Sequence, residues 1–173
     1  MDDDTKTMLR LKNGERAAFD ELYDRFSKKV YNYVLRFVGS VDVSEDITQE
    51  VFVKMYMAAK TYEPTAKFST WLFTIATNLA INEHHKSKRV EPLEADSAHD
   101  DSPSPDDRAA LNDMEQSIMG CIQKLPVNQK TAILLRGYEG MNYADIARVL
   151  NISEKAVKSL LSRARGRLME VDI

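Results

Sequence analysis

Residues 142–165 constrain the fold of this chain more than any other stretch of its sequence. Apolar residues recur at three- and four-residue spacing before and after Asn151, which predicts two short helices separated by a turn. Asn151 suits that turn because asparagine tolerates the left-handed backbone conformation that a sharp helix exit requires. Asn142 and Asp145 have the spacing of a capping box, so the first helix is predicted to begin there. The segment therefore predicts a helix-turn-helix unit.

The predicted second helix of this unit has an apolar side and a polar side. Val157, Leu160 and Leu161 form the apolar stripe. The residues largely outside the stripe are polar or basic: Lys155, Lys158, Ser159, Ser162 and Arg163. Such side chains reach base edges and phosphates when a helix lies in the major groove. A helical hairpin with a solvated charged face is the alternative, but the small Ala147, the turn residue and the apolar positions together favour DNA binding.

Composition limits how this chain would bind DNA. The 173 residues carry a net charge of −3, and the pI is about 5.7, which is unusual for a protein that binds DNA by itself. Many of the acids lie at positions 2–4 and 91–107. A chain with local basic patches and acidic segments elsewhere is expected to obtain its nonspecific DNA affinity from a larger partner.

The sequence gives little support to catalysis or metal binding. Its single cysteine, Cys121, excludes an internal disulfide and a cysteine-rich zinc site, and its apolar neighbours predict a buried thiol. His84 and His85 are adjacent, so on a helix they cannot both face one metal ion. No glycine-rich phosphate loop stands out. We expect no enzyme activity, metal or cofactor, and because there is no membrane-length apolar run and no signal peptide we expect no membrane insertion.

The periodicity along the chain predicts an all-α fold of two small helical domains. The first domain is expected to cover residues 8–89 and the second residues 109–170, with a break between helices at Pro126. Residues 90–108 are rich in proline, serine and acid and have little to bury, which predicts a flexible acidic linker.

Three amphipathic helices are predicted in the first domain. Apolar residues from Phe19 onward, Tyr23 among them, form the stripe of a long helix that ends near Gly39. Asp42 or Ser44 is expected to cap the second helix. The third helix is expected to run from residue 68 or 69 to about residue 88.

The third predicted helix has the features of a nucleic-acid-binding surface. Asn78 and Asn82 share a face, Lys86 extends that face by one turn, and Trp71 lies two turns earlier on roughly the same side. Amides can bond base edges, an aromatic ring can stack on a base and a lysine can hold a phosphate, a mixture that suits single-stranded or melted DNA. Packing of Trp71 in the core and solvation of the asparagines are the alternatives.

Four parts of the chain resemble the bacterial sigma factors of the extracytoplasmic-function (ECF) group. Residues 19–26 (FDELYDRF) and 44–52 (SEDITQEVF) are similar to the first helix and the polymerase-binding helix of the family's region 2. Residues 68–82 (FSTWLFTIATNLAIN) resemble the segment that melts and reads the −10 promoter element. Residues 125–129 (LPVNQ) and 142–165 resemble region 4, which reads the −35 element. The resemblance covers nearly the whole chain.

This resemblance implies a transcription initiation factor that binds core RNA polymerase and directs it to specific promoters. The residues that it assigns to the clamp helices of the polymerase largest subunit are Asp46, Gln49, Glu50 and Phe52. It also implies that the loop of residues 61–67, with Tyr62 and Lys67, rims a pocket for a flipped-out −10 base. Promoter DNA and an anti-sigma factor are the other expected partners, and the resemblance implies a protein of the bacterial cytoplasm.

Two other classes of protein stay open on the sequence alone. One is an operator-binding regulator that uses its helix-turn-helix unit without polymerase and dimerises through its N-terminal block. The other is a helical adaptor or anti-factor that binds only protein.

Overall fold

The computed structural model describes residues 1–90 and 113–170, and every regular element in these two ranges is helical, as predicted. The α-helices are α1 (Asp3–Lys12), α2 (Ala17–Val38), α3 (Val41–Ala58), α4 (Phe68–Val90), α5 (Asp113–Gln123), α6 (Val127–Gly137), α7 (Tyr143–Leu150) and α8 (Glu154–Met169). A 3-10 turn, Ala59–Thr61, follows α3. Nearly all of the predicted linker, residues 90–108, lies outside the described residues.

The first four helices are organised around α2, which has a continuous apolar stripe. The buried side chains of this helix are Ala18, Leu22, Phe26, Val30, Tyr33, Val34 and Phe37. The hydroxyl of Tyr33 bonds Thr77 Oγ1 on α4 at 2.7 Å, so the one polar group in the stripe is satisfied. The prediction that Tyr23 belongs to this stripe was wrong, since Tyr23 is 42 % exposed. Its ring lies against Phe52 at the edge of the α2–α3 pair rather than between the helices.

The connection from α2 to α3 is short and is made by two residues. Gly39 has a φ of 79°, a left-handed conformation that glycine adopts without steric cost. Ser40 then caps α3, because its hydroxyl accepts the Val43 N–H at 3.4 Å. The expected caps, Asp42 and Ser44, both lie inside the helix instead. The helix begins earlier than predicted because Gly39 ends α2 abruptly and leaves Ser40 extended.

The sequence analysis did not predict α1. The buried face of this helix combines Met8 and Leu11 with two threonines, Thr5 and Thr7, so its apolar periodicity is weak. Asp2 caps the helix by accepting the Thr5 N–H at 2.9 Å. The helix packs on α2 and on the start of α4, and so belongs to the first helical group.

The helices α5 to α8 form a second group. Pro126 separates α5 from α6, as predicted, and Leu134 of α6 and Val157 of α8 are fully buried in the core. Cys121 is half-buried, so the prediction of a buried thiol was too strong. Only Ile122 is buried on α5 in the part of the chain that the structure describes, and Ile118 is 36 % exposed.

The two groups contact each other, and their buried residues form one apolar cluster. The helix α7 packs along α4, and α5 and α6 pack against α2. The last carbonyls of an α-helix have no partner within the helix. At the end of α2, Gln123 Nε2 donates to Arg36 O and Lys130 Nζ donates to Phe37 O at 3.3 Å. The second group therefore caps a helix of the first, a contact that the sequence analysis did not predict.

Candidate nucleic-acid and protein interfaces

The helix-turn-helix unit forms as predicted, and local hydrogen bonds fix its shape. Asn142 caps α7, its side chain accepting the N–H three residues further on at 2.8 Å. Asn151 takes the left-handed conformation, with φ 55° and ψ 48°. The Ile152 N–H donates to Ala147 O at 3.0 Å, which closes the turn. Ser153 then caps α8 as Asn142 caps α7, at 3.1 Å.

The outer face of α8 carries all five residues that were predicted to contact duplex DNA. Each of them is exposed: Lys155, Lys158, Ser159, Ser162 and Arg163. Within the described residues, none of the three cations has a carboxylate within 4.0 Å. Arg165 is also exposed on α8 and was absent from the predicted set, although its place two residues after Arg163 in a basic helix is a visible signal. The face can meet a phosphate backbone without breaking internal ion pairs.

The predicted face for single-stranded DNA is present on α4. Asn78, Asn82 and Lys86 are exposed and follow one another at four-residue spacing. Trp71 is half-buried, with its ring centroid 5.0 Å from that of Tyr62 and 5.9 Å from that of Phe68. Part of the indole therefore packs against neighbouring rings, and part stays accessible to solvent.

The loop before α4 is held at both ends by α1. Lys12 Nζ donates to Tyr62 O at 2.7 Å and pairs with Glu63 at 3.2 Å. At the other end, the Phe68 N–H donates to the hydroxyl of Thr5 at 3.2 Å. Tyr62 is only 2 % exposed, so it supports the loop from beneath rather than reaching its rim.

The polar face of α3 is exposed, as a protein-binding face requires. Asp46, Gln49 and Glu50 all reach solvent, and Glu50 has only a long contact, 4.0 Å, with Lys54. Phe52 is different, because it is 2 % exposed and its ring lies 4.9 Å from that of Tyr23. Phe52 therefore forms the floor of an adjoining groove rather than part of the polar face.

That groove runs between α2 and α3 and was not predicted. Besides Phe52, the residues that line it include Phe19, Tyr23, Gln49, Val53 and Tyr56. Val53 and Tyr56 are 55 % and 50 % exposed, and Met57 beside them is 76 % exposed. Large apolar side chains clustered beside Gln49 are typical of a docking site for another protein. The signal in the sequence was the apolar Val53, Tyr56 and Met57 on the otherwise polar side of α3.

The first helix of the helix-turn-helix unit touches the loop of residues 61–67. Arg148 Nη1 donates to Thr65 O at 2.9 Å. The Asp145 carboxylate forms an ion pair with Lys67, with 3.6 Å between Oδ2 and Nζ. The Lys67 side chain is nevertheless 61 % exposed. The helix-turn-helix unit is thus in contact with the loop predicted to rim a base pocket, although the contacting residues of α7 lie outside the predicted DNA-binding face on α8.

The described residues contain no group of three or more histidine, cysteine or acidic side chains that could hold a metal ion. Among the same residues, no helix is long and apolar enough to cross a membrane.

Comparisons with known proteins cover both helical groups. The family "Sigma-70 region 2" matches residues 22–90, and "Sigma-70, region 4" matches residues 115–168. The chain is 32 % identical to the RNA polymerase sigma-H factor of Pseudomonas aeruginosa over 94 % of its own length and 90 % of that protein. It is also 32 % identical to the ECF RNA polymerase sigma factor SigW of Bacillus subtilis, over 94 % and 93 % of the two chains.

The same fold occurs in solved structures. CnrH, in a complex with the cytosolic domain of CnrY, superposes with a TM-score of 0.77 at 24 % identity and covers 98 % of this chain and 97 % of its own. RpoE from Bartonella quintana, in a complex with the anti-sigma factor NepR, gives a TM-score of 0.67 at 23 % identity over 90 % and 98 %. Family matches in both helical groups and relatives above 30 % identity over nearly the full length lead to one conclusion: the chain belongs to the ECF sigma factors of bacterial RNA polymerase.

Proposed function

We propose that this sigma factor directs core RNA polymerase to its promoters through three separate surfaces. The observation that carries the proposal is the outer face of α8, where five polar and basic side chains are exposed and the cations have no carboxylate partner among the described residues. This face reads the −35 duplex. The three cations hold phosphates or base edges, and Ser159 and Ser162 lie at positions from which a recognition helix contacts base edges.

The −10 element is read as melted DNA by α4 and the loop before it. Asn78 and Asn82 bond base edges, Lys86 holds a phosphate, and the accessible part of Trp71 provides a stacking surface. Lys67 contributes a positive charge at the rim. Tyr62 acts indirectly, because its buried ring packs against Trp71 and sets the position of the indole.

Core polymerase binds to α3 and to the groove beside it. Asp46, Gln49 and Glu50 meet polar or basic groups on the clamp helices of the largest subunit, and apolar side chains of the clamp enter the groove over Phe52. An interface with an apolar centre and a polar edge is the usual arrangement of a stable protein–protein contact. The net charge of −3 is acceptable because the polymerase supplies the nonspecific DNA affinity.

Several predictions about the wider context belong to this proposal. The first domain comprises the predicted residues 8–89 together with the start of α1 from Asp3, the second comprises residues 109–170, and residues 90–108 are the linker. The protein acts in the cytoplasm, has no enzyme activity of its own, and is held inactive by an anti-sigma factor until a signal arrives.

The decisive experiment is in-vitro transcription with purified core polymerase on a genomic promoter library. We expect a distinct set of transcripts that depends on adding this chain. An operator-binding regulator would instead bind specific DNA tightly without polymerase and would start no transcripts. A helical adaptor would show neither activity, so either result would refute the proposal.

A further inference from the structure

We propose that Tyr143 is a positioning residue of the recognition helix, because its ring holds the ammonium of Lys158 ready for DNA and away from the carboxylate of Glu154. The inference deepens the proposed function and rests on the assignment of Lys158 to the −35 element. The contact that suggests it joins the two helices of the helix-turn-helix unit. Lys158 Nζ, on α8, lies 5.9 Å from the centre of the Tyr143 ring on α7.

The position of the Tyr143 ring is fixed by its surroundings. Tyr143 is the first residue of α7, directly after the capping Asn142, and its half-buried ring packs against the core. The guanidinium carbon of Arg136 lies 5.1 Å from the centre of the same ring, and Arg136 Nη1 donates to Met141 O at 2.9 Å. A ring held by a helix cap, the core and an anchored cation can orient a longer, exposed side chain.

The ring contact distinguishes Lys158 from the other two cations of the predicted −35 face. In the ranges that the structure describes, neither Lys155 nor Arg163 lies over an aromatic ring. A cation within about 6 Å of the centre of a tyrosine ring is attracted to its face. Because a lysine side chain has several rotatable bonds, a contact that limits its directions before DNA arrives reduces the entropy lost on binding. Lys158 is therefore the cation whose direction is set in the free protein.

Glu154 is the acceptor that Lys158 would otherwise meet. The two residues are four positions apart on α8 with the glutamate first, the order and spacing that favour an ion pair on a helix. Among the described residues, however, Lys158 has no carboxylate within 4.0 Å. Glu154 and Tyr143 line the same open cavity, so the ring competes with a neighbouring carboxylate for the ammonium.

Removing the ring should therefore reduce the sequence specificity of the holoenzyme. The measured quantity is the ratio of its affinities for the natural promoter and for one with a scrambled −35 element, in which phosphate contacts common to both promoters cancel. Tyr143→Leu, which keeps an apolar side chain without a ring, should lower this ratio about two- to fivefold, the range of an exposed cation–π contact. Tyr143→Phe keeps the ring and should keep the ratio.

Background substitutions separate positioning from a general effect on the fold. In a Lys158→Ala background, Tyr143→Leu should lower the ratio no further, whereas in a Lys155→Ala background it should lower the ratio by the same factor as in the unmodified protein. Glu154→Gln should restore the ratio in Tyr143→Leu, because the released lysine then has no carboxylate to meet, and should change it little when Tyr143 is present. Equal losses in the Lys158→Ala and Lys155→Ala backgrounds, or failure of Glu154→Gln to restore the ratio, overturn the proposal.

Nuclear magnetic resonance of the free chain tests the contact without DNA or polymerase. Protons close to the face of an aromatic ring are shifted upfield, so with isotope-labelled lysine the ε-methylene signal of Lys158 should lie upfield of that of Lys155. Tyr143→Leu should remove this difference and Tyr143→Phe should keep it. A Lys158 signal that does not respond to Tyr143→Leu overturns the proposal. If the unmodified holoenzyme does not distinguish the two promoters, the proposed function fails and the role of Tyr143 in reading DNA fails with it, whereas the chemical shifts still decide whether the ring holds Lys158.

Discussion

Lys130 occupies a position where a charged residue is uncommon, since its side chain is 2 % exposed at the contact between the two helical groups. Its ammonium caps Phe37 O at the end of α2 and lies 5.1 Å from the centre of the Phe37 ring. Burial lowers the pKa of this ammonium, and the nearby charge of Lys88 lowers it further. The favourable position at a helix C-terminus therefore does not fully offset the loss of water.

This balance predicts how stability depends on pH. Because the pKa of Lys130 is lowered in the folded state, the unfolded chain binds more protons there, and stability rises with pH between the folded value and the ordinary lysine value near 10.4. Lys130→Met, which keeps the length and removes the charge, should raise the free energy of unfolding by about 1 kcal/mol at neutral pH and remove this rise. Urea unfolding from about pH 8 to pH 10 measures both effects.

The exposed Lys124 provides the matched control for this experiment. Lys124→Met should change neither the stability at neutral pH nor its dependence on pH. A clear loss of stability in Lys130→Met at neutral pH would show that the capping charge outweighs the cost of its burial.

At the scale of elements, α1 acts as a support for the loop of residues 61–67. It contacts the loop through Lys12 and the first residue of α4 through Thr5, although none of its residues belongs to a proposed interface. Because the loop leads directly into α4, the position of Trp71 depends on this support.

The two buried threonines of α1 differ in whether they reach the segment beyond the helix. Thr5 accepts the Phe68 N–H and donates to the capping Asp2, whereas Thr7 donates to Asp3 O within its own helix. Thr5→Val should cost about 1–2 kcal/mol, because it leaves a buried N–H without its acceptor. It should also speed hydrogen exchange at the Phe68 N–H and slow open-complex formation. Thr7→Val should show neither of these two local effects. If both variants behave alike, the proposed supporting role of α1 is refuted.

The recognition helix α8 gives a second prediction at this scale. Lys158→Ala or Arg163→Ala should weaken holoenzyme binding by about 1–3 kcal/mol if the side chain contacts a base edge, and by less if it contacts only a phosphate. Binding to the natural promoter and to one with a scrambled −35 element distinguishes these cases. If both variants bind the promoter as tightly as the unmodified protein, the face does not contact DNA and is simply a solvated surface.

At the scale of the whole molecule, the proposed polymerase-binding face on α3 and the proposed DNA-reading faces on α4 and α8 belong to different helices. Their functions should therefore be separable by mutation. The exposed carboxylates Asp46 and Glu50 are the charges best placed to test this separation, because no cation approaches Asp46 within 4.0 Å among the described residues and Glu50 meets Lys54 only at 4.0 Å.

Charge reversal at both positions, Asp46→Lys/Glu50→Lys, should abolish assembly with core polymerase while the fold stays intact. Circular dichroism checks the fold, and a pull-down with core polymerase checks assembly. Glu45→Lys is the control, because Glu45 is exposed beside Asp46 but has no assigned role. If the double variant assembles normally, the proposed binding of this face to the clamp is refuted. The proposals for α4 and α8 are not affected by that result.

Local signals in the amino-acid sequence were enough to predict most of the helices and the helix-turn-helix unit. Three- and four-residue apolar spacing identifies α2 and α4. The cap formed by the Asn142 side chain and the left-handed backbone of Asn151 each involve residues only a few positions away. For the same reason, the exposed face of α8 could be read directly from the chain. The weak periodicity of α1 and the early start of α3 at Ser40 show where such local signals fail.

Which helix faces meet could be seen only from the packing in the tertiary structure. It buried Phe52 and Tyr62, left Tyr23 and Tyr56 lining a groove, and placed Lys130 under the end of α2. It also joined Asp145 to Lys67, a pair 78 positions apart by their residue numbers. These outcomes depend on packing between segments that are distant in sequence, and periodicity within one helix carries no information about its neighbour.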